Sequence, residues 1–187
     1  MLPPHAPPSF SDRSTLWNSV EQTEKSNNSQ LAREIELALP VELSREEQTR
    51  LVREYCSSQF VSKGMCADFN IHDTGSGNPH AHILLTMRPL DEKGAWAAKS
   101  KKEYVLDESG EKILLPSGRY KTRKIDLMDW NRQENADLWR KAWADMANDF
   151  LEQNGSAERI DHRSNAERGI DEIPTVHMGV AACQMEN

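Results

Sequence analysis

Cysteine is scarce in this chain: Cys56, Cys66 and Cys183 are odd in number and irregularly spaced. That excludes a disulfide framework and any CxxC metal or redox pair, and it fits reduced thiols in a cytoplasm. The HExxH spacing of the zinc proteases is missing as well. No apolar run is long enough to cross a bilayer, and the mean hydropathy of -0.76 belongs to a polar chain. The first residues, Met1-Leu2-Pro3-Pro4-His5-Ala6-Pro7-Pro8, carry neither a basic n-region nor an apolar h-region, so no secretory signal is expected. Repeats and low-complexity tracts are absent. Basic charge is not in excess either: 23 Lys and Arg face 30 Asp and Glu, a net charge of -7. That balance, taken as an average, argues against nucleic acid as a partner. At 187 residues the chain suits one domain with a real core and would be crowded as two.

Histidine, by contrast, is concentrated. Three of the six, His72, His80 and His82, fall within Ile71-His72-Asp73-Thr74-Gly75-Ser76-Gly77-Asn78-Pro79-His80-Ala81-His82-Ile83-Leu84-Leu85. Strand side chains alternate between faces, so His80 and His82 share one. Gly75-Ser76-Gly77-Asn78-Pro79 reads as a turn. If it closes a hairpin, His72 returns beside the pair, and three imidazoles form one side of an open metal site. The bland alternative is a set of hydrogen-bonded or surface histidines.

The rest of the pattern is mixed. Ser11-Asp12 is placed to cap a short helix carrying Leu16, Trp17 and Val20. Leu31 to Leu39 alternates, with Arg33, Ile35 and Leu37 on one face and Glu34 and Glu36 on the other. Ser44-Arg45-Glu46-Glu47 is a capping box opening a helix with Leu51, Val52, Tyr55 and Phe60 on one stripe. Cys66–His72 and His80–Arg88 are expected strands. Within a polar section, 91–129, a hairpin is expected around Asp107-Glu108-Ser109-Gly110-Glu111. Asn131 to Asn154 reads as the longest helix, with Leu138, Trp139, Ala142, Trp143, Met146, Ala147, Phe150 and Leu151 as its apolar stripe and Gly155 as its stop. Residues 156–187 form a turn-rich tail. Hairpin links rather than crossovers imply an α+β fold, a largely antiparallel sheet covered by helices.

Local basic clusters interrupt the acidic average. Lys99, Lys101 and Lys102 form one; Arg119, Lys121, Arg123 and Lys124, with Tyr120 between them, form another. They suit phosphate contacts with a tyrosine for base stacking, or simply a solvated hairpin face.

Several segments together resemble the MobA/MobL family of plasmid mobilization relaxases, within the HUH endonuclease group. They are Arg33-Glu34-Ile35-Glu36-Leu37-Ala38-Leu39-Pro40, Asp68-Phe69-Asn70-Ile71-His72-Asp73 and Asn78-Pro79-His80-Ala81-His82-Ile83-Leu84-Leu85. Leu138-Trp139-Arg140-Lys141-Ala142-Trp143, Asp161-His162-Arg163-Ser164 and Pro174-Thr175-Val176-His177-Met178-Gly179 follow in order, so the likeness spans nearly the whole chain. In the family's terms His80-Ala81-His82 is the HUH motif and His72 the third ligand of a divalent cation, Mg²⁺ or Mn²⁺. The resemblance implies tyrosine-mediated nicking of single-stranded DNA at an origin of transfer, in the company of other mobilization proteins. It also implies that Glu34 or Glu36 acts as a general base or orients a histidine; the DNA contacts expected from the basic clusters are Lys101, Lys102, Arg119, Tyr120, Lys121, Arg123 and Lys124. Two departures stand out. The family's nucleophilic tyrosine precedes everything in this chain, and Tyr55, Tyr104 and Tyr120 do not match it; the expectation is a start placed too late or a remnant. Asn165 stands where an aromatic is expected.

Three readings remain at this point. One is a relaxase domain with its metal site but without its nucleophile. Another is a non-catalytic DNA-binding module of the mobilization complex. The third is an unrelated three-histidine metallohydrolase.

Overall fold

The computed structural model describes residues 1–75 and 77–172. Its main sheet has three antiparallel strands, β1 (Ala32–Ala38), β2 (Ala67–His72) and β3 (His80–Thr86), in the order β1-β3-β2. The β2–β3 hairpin turns where the glycines predict. Gly75 and Gly77 both have positive φ, and the Asp73 carboxylate accepts a hydrogen bond from the Gly75 N–H at 2.9 Å. This sets the register at His72 opposite His80 and Asn70 opposite His82.

Alternation then sorts the side chains onto two faces. On one, Ile35 and Leu37, Ala81, Ile83 and Leu85, and Ala67, Phe69 and Ile71 meet the core. Over it lie α2 (Arg45–Gln59) and α3 (Glu134–Gln153), contributing Leu51, Val52, Tyr55, Trp139, Trp143 and Phe150. Each such large buried side chain contributes roughly 1.5–3 kcal/mol. Tyr55 packs edge-on against Phe60 and Trp143, which locks α2 to α3. On the other face, α1 (Arg13–Thr23) lies across β2, and Phe10, Leu16, Cys66 and Leu90 form a second, smaller cluster. The Asp12 carboxylate accepts from the Thr15 N–H at 2.7 Å, and Ser44 Oγ from the Glu47 N–H at 3.2 Å, so both anticipated N-caps form.

The structure corrects several boundaries. Helix α3 begins at Glu134 rather than Asn131, because Trp130 is buried and its carbonyl accepts from the Arg33 guanidinium, holding the preceding segment in a turn. Leu138 is exposed rather than on the buried stripe, since it sits about 100° around the helix from Trp139. Strand β3 stops at Thr86, and Arg88 turns away to donate to the Glu24 carboxylate and the Ala97 carbonyl. The polar section carries a separate two-stranded ladder, β4 (Ser100–Tyr104) with β5 (Thr122–Asp126). The expected hairpin around Asp107–Glu111 forms beyond this ladder, with a bridge between Leu106 and Lys112 and the Asp107 N–H donating to the Glu111 carbonyl at 2.8 Å. Pro174–Gly179 and Cys183 lie outside the described residues. Cys56 and Cys66 are free and buried, and burial pushes their thiols up to about 12 and about 11.

Candidate metal centre

The hairpin brings His72, His80 and His82 together. One ring nitrogen from each lies within 4.8 Å of the other two, and the ring centroids are 5.0 to 5.5 Å apart. Neighbouring donors on an ion bound at about 2.1 Å sit roughly 3 Å apart, so small side-chain adjustments close the shell. Two of the rings are already oriented. His80 Nδ1 lies 2.9 Å from the Asn78 carbonyl oxygen, which only accepts, so the proton sits on Nδ1 and the Nε2 lone pair is free. His82 Nδ1 lies 2.8 Å from Glu34 Oε1, so here too Nδ1 is the donor and Nε2 is the nitrogen left for a ligand. Three imidazoles on one side, with solvent on the other, fit a cation that keeps open coordination positions.

The two glutamates separate here. Glu34 reaches His82, whereas Glu36, although cross-strand from His82 and on the same face, is not the ring's partner. Alternation alone placed both carboxylates alike; which one contacts the ring depends on side-chain reach.

Sequence reasoning missed a second group beside the histidines. A cavity of about 270 Å³ is lined by Arg13, Glu34, Asp68, Asn70, His72, His82 and Leu84. Asp68 Oδ2 accepts from Arg13 Nε at 2.7 Å and from Trp17 Nε1 at 3.0 Å. Asp68 and Asn70 could have been found, because alternation puts them on the face of His72. Arg13 had no local signal: it arrives from α1, 55 residues away in sequence.

The chain's tyrosines lie elsewhere. Tyr55 is fully buried, its hydroxyl donates to the Trp139 carbonyl at 2.9 Å, and burial drives its pKa up. Tyr104 and Tyr120 face each other on the β4–β5 arm, 5.8 Å apart.

Comparison with known proteins decides the family. The MobA/MobL family profile matches residues 1–187. This chain belongs to the MobA/MobL family. It is 36% identical over 202 residues to the probable mobilization protein MobA of Bifidobacterium longum, covering all of this chain and 35% of that one. It is 40% identical over 168 residues to the conjugal transfer protein TraA of Agrobacterium fabrum, covering 89% of this chain and 14% of that one. A solved structure described as "Molecular Basis of Vancomycin Resistance Transfer in Staphylococcus aureus" superposes with a TM-score of 0.71 at 35% identity, covering 88% of this chain and 73% of that chain. The chain thus spans about a third or less of the length of these two curated relatives.

The basic residues of this MobA/MobL chain do not form one patch. Cross-strand register puts Lys102 opposite Lys124 on one face of the arm, with Tyr104 two residues along. Lys101 and Arg123 are on the other face, where both contact Glu103, at 2.8 and 3.4 Å. Lys124 also pairs with Asp126 at 2.7 Å. Arg119, Tyr120 and Lys121 lie before β5, all exposed. Lys99 leaves the cluster altogether: its ammonium pairs with Glu24 at 2.6 Å. Lys112, not anticipated, sits over the Tyr104 ring at 4.1 Å and the Tyr120 ring at 5.6 Å. Among the described residues, no helix is long and apolar enough to cross a membrane.

Proposed function

We propose that this chain is the metal-binding and phosphate-holding part of a relaxase that nicks one DNA strand at an origin of transfer, the attacking tyrosine hydroxyl coming from outside these 187 residues. The convergence of three imidazoles, two with their Nε2 lone pairs freed by Nδ1 partners, carries the reading. His72, His80 and His82 would hold a divalent cation. Such an ion, when bound, neutralises charge building on the non-bridging phosphate oxygens and orients the phosphate for in-line attack. Imidazole ligands favour transition ions, so of the family's two cations Mn²⁺ suits this set better than Mg²⁺. Glu34 keeps the His82 ring in its ligating tautomer, and Glu36, on the same face, is the candidate for taking the nucleophile's proton. None of the chain's three tyrosines lines the cavity beside the histidines, which supports a hydroxyl supplied from elsewhere. The exposed arm, with Lys102, Lys112, Lys124, Tyr104 and Tyr120, would hold single-stranded DNA through phosphates and base stacking. A cytoplasmic setting and contacts with other mobilization proteins accompany this reading.

Calorimetric titration tests it. Mn²⁺ binds the wild-type chain and strengthens its hold on a single-stranded oligonucleotide, and His80→Ala or His82→Ala removes both effects. A folded, monodisperse sample that binds neither Mn²⁺ nor Mg²⁺ refutes the metal reading. The separate sheet of the arm favours a second reading, a non-catalytic DNA-binding module; DNA affinity that is undiminished by chelator supports that one instead.

A further inference from the structure

We infer that Arg13 grips the phosphate adjacent to the one held at the three histidines, and that Asp68 is its positioning residue; this rests on the relaxase reading above. Arg13 opens α1, and its guanidinium lines the same cavity as His72 and His82. Asp68 takes Nε alone, at 2.7 Å, and its carboxylate is largely buried. A guanidinium held by Nε presents its two terminal nitrogens as a planar fork, the geometry that matches two phosphate oxygens.

A purely structural role accounts poorly for this arrangement. The Arg13 side chain is 56% exposed, and exposed ion pairs add little stability. Trp17 Nε1, bonded to the same Asp68 oxygen at 3.0 Å, already ties α1 to β2. Electrostatics points the same way. Glu34 and Asp68 both line the cavity, so a polyanion entering it meets two carboxylates, and Arg13 is the one Lys or Arg among the lining residues. Without it, the cavity would offer a second phosphate two carboxylates and no Lys or Arg.

The test uses the full chain loaded with Mn²⁺ and two probes, thymidine 5′-monophosphate and thymidine 3′,5′-bisphosphate, followed by calorimetry and by Mn²⁺-induced ³¹P relaxation. Wild type binds the bisphosphate about tenfold more tightly, a difference of about 1.4 kcal/mol. In R13Q the ratio falls to within twofold, while monophosphate affinity, Mn²⁺ affinity and Tm stay at wild-type values; R13K recovers part of the ratio. D68N, which frees the guanidinium to swing, gives an intermediate ratio. A ratio unchanged in R13Q, or a wild type with no preference for the bisphosphate, overturns the inference while leaving the metal centre intact. A parallel fall in both nucleotides and in Tm shows a structural role and also overturns it. Failure of the wild type to bind Mn²⁺, or of the loaded chain to bind the monophosphate, brings down the relaxase reading and this inference together.

Discussion

Removing the Glu34 carboxylate should weaken metal binding without touching a ligand. The Glu34–His82 contact is a single 2.8 Å hydrogen bond to Nδ1, and Glu34 is 57% exposed while His82 is 29% exposed. An outer-shell carboxylate does two things: it fixes which nitrogen carries the proton, and it raises the basicity of the ligating one. Losing such a partner typically costs about 10–100-fold in metal affinity. The exposure of Glu34 means water partly replaces it, so the low end applies: about tenfold, or roughly 1.4 kcal/mol, for Glu34→Ala. Glu34→Gln keeps an accepting carbonyl but not the charge, and should lose about threefold, between the two. Glu36→Ala, on the same face without the ring contact, should change Mn²⁺ affinity less than twofold. Calorimetry with Mn²⁺ on the four proteins, together with the loss of binding in His82→Ala, measures the series. The reasoning is refuted if Glu34→Ala binds within twofold of wild type, or if Glu36→Ala is the more damaging change.

Other outcomes follow from the same structure. Glu24 is 7% exposed between Arg88 and Lys99; burial works to raise its pKa, but the two cations outweigh it and the net shift is downward. A depressed carboxylate stabilises the fold above its unfolded pKa and loses that contribution as pH falls through the folded one. Glu24→Gln should therefore lower stability by about 2 kcal/mol at neutral pH, with the gap closing in acid, as urea unfolding at several pH values will show. Tyr55→Phe removes a buried hydroxyl bond to the Trp139 carbonyl and should cost about 1 kcal/mol by denaturation, with Mn²⁺ and DNA binding unchanged. On the arm, Lys102→Ala should flatten the salt dependence of single-stranded DNA binding by about one unit of slope, whereas Lys101→Ala, Arg123→Ala and Lys124→Ala, whose charges are shared with Glu103 or Asp126, should each do less in a fluorescence anisotropy titration over salt.

Period and punctuation carry the legible part of the fold. The two-residue alternation through Arg33–Leu37, Ala67–His72 and His80–Leu85 assigns every strand side chain to its observed face. The Gly75–Pro79 turn accounts for the meeting of three histidines, since a tight hairpin leaves His72 little choice but to return opposite His80. Errors arose where a local pattern competed with a distant contact. Arg33, holding the Trp130 carbonyl, delayed the start of α3, and Glu24, buried on α1's C-terminal side, drew Lys99 and Arg88 out of their expected settings.

Composition and periodicity by themselves determined an α+β chain with an open three-histidine centre, because backbone geometry dictates which neighbours along a strand share a face. Only the tertiary structure decided which glutamate contacts His82, that Tyr55 is core, that the basic arm splits its charges between two faces, and that Arg13 shares a cavity with His72 and His82. Those facts depend on the packing of elements far apart in sequence, and side-chain reach across such an interface leaves no period to read.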